Sequence, residues 1–456
     1  MGERVLVVGL AVTGAAVARE MLAEGKAVVA VDDRADDSVR GRAADLGIEL
    51  VEAPSPGELA RLAQDADLVV VSPGVPARHP VFALGDRVAL VSEVELAGRM
   101  ARAPMVAVTG TNGKTTVTTL VAAMLDASGV RALAAGNIGL PLVEAARRDV
   151  DVLVAEVSSF QLQLTSTFRP RVAVWLNLAE DHLDWHPTMQ HYVEAKARVW
   201  ANQAGEDLAV ANADDPVVWR AAARAPARVA GFSIEAGAAP PWPGRGDGPR
   251  AVFHVAGGEL RTPEGDTIAA VAELARVLPH DLANALAASA AALGAGATLE
   301  GCRRALISFT GLPHRVEPVG EAGGVRYYDD SKATTPSAVL AALAGFESVV
   351  LIAGGRNKGL DLGALRSGAG PVRAVVAIGE AAAEVEAAFA GLVPVSRAGS
   401  MDQAVEMARA AARPGDAVLL SPGCASFDWY RSYAERGEDF ARAVGAPGVR
   451  GREGRR

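Results

Sequence analysis

The stretch Val106-Ala107-Val108-Thr109-Gly110-Thr111-Asn112-Gly113-Lys114-Thr115-Thr116, with an apolar-periodic run over residues 117–127 behind it, decides how the chain is read. β-Branched residues running into two glycines, then Lys-Thr-Thr at the head of a helical pattern, spell a strand, a tight turn and a helix N-terminus. Such a turn offers main-chain N–H groups to anionic oxygens, Lys114 adds a point charge, and the Thr115 hydroxyl can hold Mg²⁺. Each part meets one need of a bound triphosphate. The spacing is G-x-x-G-K-T, and Val108 stands where the commoner G-x-x-x-x-G-K-[ST] pattern has its first glycine. The plain alternative is a glycine-rich turn with a solvated lysine; the order of the parts favours a nucleotide loop.

Half of the 456 residues are hydrophobic and 22% are charged, with a net charge of −9. That balance describes a soluble globular chain without the basic stripe that nucleic-acid binding needs, so no nucleic-acid partner is expected. No uninterrupted apolar run reaches the ~18 residues of a membrane span, and no membrane partner is expected. Cys302 and Cys424 are the two cysteines, too few and too far apart for a disulfide framework or a zinc site, which points to the cytoplasm. Arg4, the apolar residues 5–10 and Ala16-Val17-Ala18 imitate a secretory leader with its cleavage site. Gly9 and Gly14 instead fall at the turn positions of a strand-turn-helix unit, and Glu3 and Thr13 weaken the leader reading.

At ~150 residues per domain the length suggests about three domains. The expected fold is α/β throughout: a Rossmann-like N-terminal domain over residues 1–93, a central P-loop ATPase-like domain over 94–309, and a Rossmann-like C-terminal domain over 310–445. Residues 446–456 are basic, lack an apolar stripe and are expected to be disordered. Residues 4–34 read as strand, turn, helix, strand. Asp32 lies near the place of a ribose-binding acid, yet Ala11 replaces the second glycine of G-x-G-x-x-G, where a methyl crowds a pyrophosphate. A nicotinamide-dependent dehydrogenase is thereby disfavoured, and Asp32-Asp33-Arg34 suits a nucleotide base or sugar of another kind. A buried-strand pattern at 67–71 ends in Ser72-Pro73-Gly74-Val75-Pro76, a turn able to bring main-chain N–H groups to a ligand.

In the central domain, Ala135-Gly136-Asn137-Ile138-Gly139 is a turn of small residues after a short strand. A β run at 152–155 delivers Glu156 at its C-terminal end, beside the P-loop strand, where nucleotide enzymes keep a magnesium ligand. A salt-bridged surface glutamate is the alternative. The strand at 172–176 runs into Asn177-Leu178-Ala179-Glu180-Asp181-His182-Leu183-Asp184-Trp185-His186, where His182 between two aspartates suggests a metal or phosphate role. Lys196 falls on the helix that follows and, taken alone, reads as a solvated helix-face lysine. Residues 236–250, rich in Pro and Gly, are expected to form a mobile surface loop. Asp281 and Asn284 sit near the start of an alanine-rich helix. Past Thr310, strands and helices alternate, and the polar loops Asp329-Asp330-Ser331-Lys332-Ala333-Thr334, Gly354-Gly355-Arg356-Asn357-Lys358 and Ser421-Pro422-Gly423-Cys424-Ala425-Ser426-Phe427-Asp428 all follow strand C-terminal ends, where open α/β sheets bind ligands.

Taken in order, T-G-T-N-G-K-T-T, G-N-I-G, E-V-S-S-F-Q-L, N-L-A-E-D-H-L-D, L-P-H-R, D-D-S-K-A-T and S-P-G-C-A-S-F-D resemble the motifs of the muramyl ligase family over nearly the whole chain. In that family G-T-N-G-K-T is the ordinary P-loop, which accounts for Val108. The resemblance implies ATP-driven amide formation in peptidoglycan precursor synthesis, with D-glutamate added to UDP-N-acetylmuramoyl-L-alanine through an acyl phosphate. It implies ATP and two Mg²⁺ ions as cofactors and small-molecule substrates as partners, and a monomer is expected. By the same resemblance Gly110, Thr111, Asn112, Gly113, Lys114, Thr115, Thr116, Asn284, Arg315 and Asp330 bind ATP. Thr115 and Glu156 hold one ion, and His182 and Lys196 serve the second. Thr13, Asp32, Asp33, Arg34 and Ser72 receive the uridine diphosphate, and Asn137 and Ser158 touch the muramyl part. Thr334, Lys358, Ser426 and Phe427 receive D-glutamate, while Lys114, His182, Lys196 and Lys332 are the catalytic set. An ammonium at Lys196 would repel the ion, so a carbamate formed with CO₂ is expected on that side chain. Two positions depart from the family: Asp281 replaces an asparagine near the adenine, and Asp33 makes the uracil subsite more acidic. The rival readings are another ligase of the superfamily, adding a different amino acid or extending folate with glutamate, and a noncatalytic nucleotide switch.

Overall fold

The computed structural model describes residues 3–183, 185–235, 241–243 and 252–445. The tail at 446–456, Asp184 and most of the proline- and glycine-rich stretch at 236–250 lie outside the described residues. By mutual packing the chain divides into two compact units. One holds Met1–Leu178, Trp185–Ala275 and Ala283–Phe309; the other holds Ala179–Asp184, Arg276–Leu282 and Thr310–Arg456.

The first unit contains two sheets. Five short, Val-rich strands, β1 (Arg4–Val8), β2 (Ala27–Asp32), β3 (Glu49–Glu52), β4 (Leu68–Val71) and β5 (Leu90–Val91), pair in parallel in the order β3-β2-β1-β4-β5. The near-continuous apolar runs of β1, β2 and β4 suit strands covered on both faces. The order reverses at β1, so a crevice opens between the ends of β1 and β4, the place where doubly wound sheets take ligands.

The second sheet of this unit is built from β6 (Met105–Thr109), β7 (Ala132–Gly136), β8 (Val152–Glu156), β9 (Val172–Trp175), β10 (Leu208–Asn212), β11 (Arg228–Ser233), β12 (Val252–Ala256), β13 (Glu259–Arg261) and β14 (Thr267–Ala270). Its order is β14-β13-β12-β11-β10-β9-β6-β8-β7, parallel up to β12 and antiparallel beyond it. The P-loop strand β6 therefore lies between β8 and β9. Val108 is in register with both Glu156 and Val174, and Glu156 with Gly136, so the exits of four strands come side by side. One apolar cluster runs through both sheets, from Val5, Val7 and Ala16 to Ala107, Ala155 and Trp175.

In the second unit, β15 (Glu317–Ala322), β16 (Val325–Asp329), β17 (Val349–Gly354), β18 (Val372–Ile378), β19 (Val395–Ala398) and β20 (Ala417–Leu420) form a sheet in the order β15-β16-β20-β17-β18-β19. Only β15 is antiparallel, against β16. Placing β20 between β16 and β17 brings together three loops that are far apart in sequence.

Candidate active site

The P-loop follows β6 and enters the helix Lys114–Ala127. Gly113 has a φ of +84°, and a Cβ there would stand 2.5 Å from Asn284 Oδ1, so only glycine fits and Asn284 is held against the loop. The Lys114 ammonium donates to the carbonyls of Gly110 and Thr111, each at 2.9 Å. Lys196, on the helix Met189–Ala201, is 1% exposed and donates to the same Gly110 carbonyl at 2.8 Å, with its ammonium 4.7 Å from the Tyr192 ring centre. Two ammonium groups thus meet at one carbonyl oxygen, an arrangement that favours added negative charge nearby.

One supporting residue escaped the sequence reading. The Asn177 side-chain carbonyl accepts from the main-chain N–H groups of Thr111 (3.1 Å) and Asn112 (2.9 Å), while its amide donates to the Asn112 carbonyl (3.1 Å). These bonds from the Thr111 and Asn112 amides hold the loop's shape. Asn177 lies 66 residues from Thr111, so no local pattern announces the pair.

Glu156 ends β8 and is 2% exposed. Its Oε1 accepts from the Asn137 amide at 3.0 Å, whereas its buried Oε2 has no hydrogen-bond partner. A buried carboxylate oxygen left without a donor is costly unless something cationic meets it. The donor set therefore fits a magnesium ion. Ser158, next on the same exit, caps the helix Ser159–Gln163 with a reciprocal box: its hydroxyl accepts from the Gln161 N–H, and its own N–H donates to Gln161 Oε1 at 2.9 Å.

In the N-terminal sheet, a cavity of about 640 Å³ opens at the ends of β1, β2 and β4 and is lined by Thr13, Asp32, Asp33, Arg34 and Ser72. All five residues expected to receive a uridine diphosphate are thus brought together. Asp32 accepts from the N–H groups of Leu10 and Arg34, both at 2.9 Å, and the Ser72 hydroxyl donates to the Gly9 carbonyl at 2.6 Å. Gly14 is obligatory, since a Cβ would collide with the Gly9 carbonyl. Arg78 and His79, which no sequence motif singled out, also line the cavity. His79 Nδ1 accepts from the Val81 N–H at 3.1 Å, which leaves Nε2 to face the Asp33 carboxylate at 3.2 Å.

The second unit carries the remaining residues. Asp330 is buried; its oxygens accept from the Val316 N–H (3.3 Å) and the Ser421 hydroxyl (2.7 Å), and burial pushes its carboxyl up to about 7. Lys332 lies 3.8 Å from the Tyr433 ring centre. Arg436, 1% exposed, donates to the Ser331 hydroxyl and carbonyl and to the carbonyls of Cys424 and Ala425. That single guanidinium, pushed down to about 10 by burial, ties the Lys332–Thr334 loop to the Ser426–Phe427 loop. Reciprocal main-chain bonds between Arg356 and Ala425 bring in the loop of Lys358. Lys358 and Phe427 are exposed, and Ser426 is buried. Arg315 is half-buried, and its neighbour His314 adopts a φ of +61° and is raised by the Asp329 carboxylate 2.6 Å away. His182, also in this unit, has a φ of +56°, and its N–H donates to Asp181 Oδ1 at 2.9 Å.

Residues 3–90 match the Mur ligase MurD-like N-terminal domain, 108–292 the Mur ligase middle domain, and 314–424 the Mur ligase glutamate ligase domain. The chain is 42% identical to a UDP-N-acetylmuramoylalanine–D-glutamate ligase of Desulfatibacillum aliphaticivorans over 98% of both chains. It is 44% identical to one from Desulfosudis oleivorans, over 97% of this chain and 96% of that one. Among solved structures, the fold is similar to a UDP-N-acetylmuramate-alanine ligase of Thermotoga maritima, with a TM-score of 0.58 at 18% identity over 98% of this chain and 99% of that one. It is similar to the same degree, TM-score 0.58 at 20% identity over 92% and 97%, to a pseudomurein peptide ligase type C of Methanothermus fervidus. Among the described residues no helix is long and apolar enough to cross a membrane. With three successive domain matches and full-length relatives above 40% identity, the chain belongs to the Mur ligase family.

Proposed function

We propose that the protein adds D-glutamate to UDP-N-acetylmuramoyl-L-alanine, driven by ATP, in the synthesis of the peptidoglycan precursor. The observation that carries this reading is the full-length likeness, at 42 to 44% identity, to ligases of that one specificity. Domain boundaries at residues 93 and 309 suit it, because the three family matches fall inside them. In the reaction the acceptor carboxylate attacks the γ-phosphorus of ATP and ADP leaves. The D-glutamate amine then attacks the acyl phosphate, and the tetrahedral intermediate loses phosphate and a proton to give the amide.

Two anions must first approach each other. Lys114, at the helix N-terminus with Thr115 and Thr116, spreads the charge of the transferring phosphoryl group. Mg²⁺, when bound, neutralises phosphate charge; Thr115 and Glu156 would hold one ion, and the partnerless Glu156 oxygen supports that place. His182 and Lys196 are assigned the second. The two lysines converging on the Gly110 carbonyl support carbamylation of Lys196, which exchanges a cation for an anion there. Asn284, Arg315 and Asp330 bind ATP, and Lys332 orients the reacting groups. The cavity of Asp32, Asp33, Arg34, Thr13 and Ser72 takes the uridine diphosphate, with Asn137 and Ser158 on the muramyl part. Thr334, Lys358, Ser426 and Phe427 receive D-glutamate.

The test is phosphate release from ATP. Release is expected only with UDP-N-acetylmuramoyl-L-alanine and D-glutamate together. Equal turnover with L-glutamate, with another amino acid or with a folate acceptor overturns the assignment.

A further inference from the structure

The helix Ser159–Gln163 sits behind the turn that presents Ser158, and four side chains close a ring at its back. Ser159 Oγ lies 2.9 Å from His186 Nε2, His186 Nδ1 lies 3.0 Å from His191 Nδ1, and His191 Nε2 lies 3.1 Å from the Gln163 amide nitrogen. Gln163 is on the same short helix as Ser159, so the helix itself completes the circuit. His186 is fully buried and Ser159 is 2% exposed. The His186 ring stacks on Phe160, at 5.6 Å and 6°, and meets Tyr192 at 4.9 Å.

The chemistry of two facing imidazoles makes the ring directional. Only one of the two apposed Nδ1 atoms can carry the shared proton. With the Gln163 nitrogen towards His191, His191 Nε2 accepts, His191 Nδ1–H donates to His186, and His186 Nε2–H donates to Ser159. The buried Gln163 Oε1 has no hydrogen-bond partner. Turning the amide over brings that oxygen to His191 and reverses every donor in the ring, so that Ser159 donates to His186. Both settings fill all four ring nitrogens and both hold Ser159.

We propose that His186 is a positioning residue for the acceptor substrate: through Ser159 it fixes the turn whose other face presents Ser158. This rests on the ligase reading above. Adjacent residues face opposite ways, Ser159 inward to His186 and the half-buried Ser158 outward. The front of the turn is held independently, because Gln161 caps Ser158 while its amide reaches Glu93 at 3.4 Å. A buried hydrogen-bonded network of this kind fixes geometry more than it adds stability.

Side-chain length supplies the test. In His186→Gln the amide reaches the place of Nε2 and keeps the Ser159 contact; in His186→Asn it reaches only the place of Nδ1. Steady-state constants for UDP-N-acetylmuramoyl-L-alanine and for ATP, with thermal melting, are measured for both variants, for Ser159→Ala and for Ser159→Ala/His186→Asn. His186→Asn and Ser159→Ala are each expected to raise the acceptor KM about tenfold, the net worth of one buried hydrogen bond. The ATP KM should stay within about twofold, His186→Gln should recover most of the loss, and the double variant should be no worse than either single one. Parallel rises in both KM values, a Gln variant as impaired as the Asn variant, or an unmoved acceptor KM overturns the proposal. Ser159→Ala removes one oxygen and keeps the helix, so it decides the matter if the His186 variants do not fold. Wild-type protein that does not turn over the acceptor overturns the ligase reading and this inference with it; wild-type turnover with unmoved variants overturns this inference alone.

Discussion

After β1 the chain turns through Gly9 into a helix, and after β6 it turns through Gly110 and Gly113 into another; both turns sit at the C-terminal edge of a parallel sheet. Around the first turn, the Asp32 and Ser72 side chains are bound to main-chain groups of the turn and its neighbours. Around the second, a buried carboxylate oxygen lacks a donor and two lysines share one carbonyl. The first arrangement is a finished cavity wall. The second leaves a buried carboxylate oxygen unmet beside two ammonium groups. Two similar strand-turn-helix frames thus differ in how much polar business is left open.

The sharpest way to break that contrast is Glu156→Gln. It should lower kcat by roughly 10² to 10³, the usual cost of losing one electrostatic group at a reacting centre, while leaving thermal stability equal or higher, since a buried carboxylate with one oxygen lacking a donor is replaced by a neutral amide. A fall in melting temperature with little change in kcat would make Glu156 a structural acid. Lys196→Ala should be nearly inactive and partly rescued by millimolar formate or acetate, which can occupy the position of the proposed carbamate. Rescue by small amines and not by small acids would return Lys196 to a plain cation.

The same contrast recurs two residues apart on one helix. Glu95 accepts from Ser166, Thr167 and Phe168 and pairs with Arg99. Burial alone would raise its carboxyl, but the bonds from Thr167 and Ser166 outweigh burial and hold it at about 2. Glu93 is equally buried with fewer donors, and burial pushes it up to about 7. The signs are opposite. Glu95 contributes stability above its ordinary pKa of 4.5 that is lost as pH falls towards 2; Glu93 costs stability that grows as pH rises from 4.5 to 7. At pH 8, denaturant unfolding should show Glu95→Gln destabilised and Glu93→Gln stabilised, each by roughly 3 kcal/mol at most. Changes of the same sign would overturn the account.

Much of this was legible in the sequence because the chemistry is local. Gly110 to Thr116, Glu156 at a strand end and the polar loops after β16, β17 and β20 are short runs whose residue types have few other uses together. The props were not legible. Asn177 supports a loop 66 residues away, Arg436 binds Ser331 across 105, and Glu95 is met by residues more than 70 further on. Such pairs are made by tertiary packing and leave no periodicity. The strands β12 to β14 also escaped, being three to five residues long and preceded by a proline- and glycine-rich stretch.

In the second unit the contrast is between a tied loop and its exposed tip. The Lys358 loop is fixed to Ala425 through Arg356, yet the Lys358 side chain stands in solvent. Lys358→Ala should therefore act on D-glutamate KM, by roughly ten- to a hundredfold, the worth of ~1.5–3 kcal/mol for a charge-assisted contact. Stability should be unmoved. A rise confined to ATP KM would mean that this loop serves the nucleotide.

The smallest effect tests the finished wall itself. Ser72 is 8% exposed and its hydroxyl donates to the Gly9 carbonyl at 2.6 Å, joining the ends of β4 and β1 across the cavity floor. Ser72→Ala deletes that bond without adding bulk, and a buried neutral hydrogen bond has a net worth of about 1 kcal/mol. Unfolding in urea should show a loss of that size. The acceptor KM should rise by less than about tenfold, because the wall loosens while Thr13, Asp33 and Arg34 remain. The kcat value should not change, since no charge develops at this turn during the reaction. A drop in kcat at saturating acceptor would mean that the turn after β1 shares in the chemistry, and the division between a finished turn and an open one would then fail.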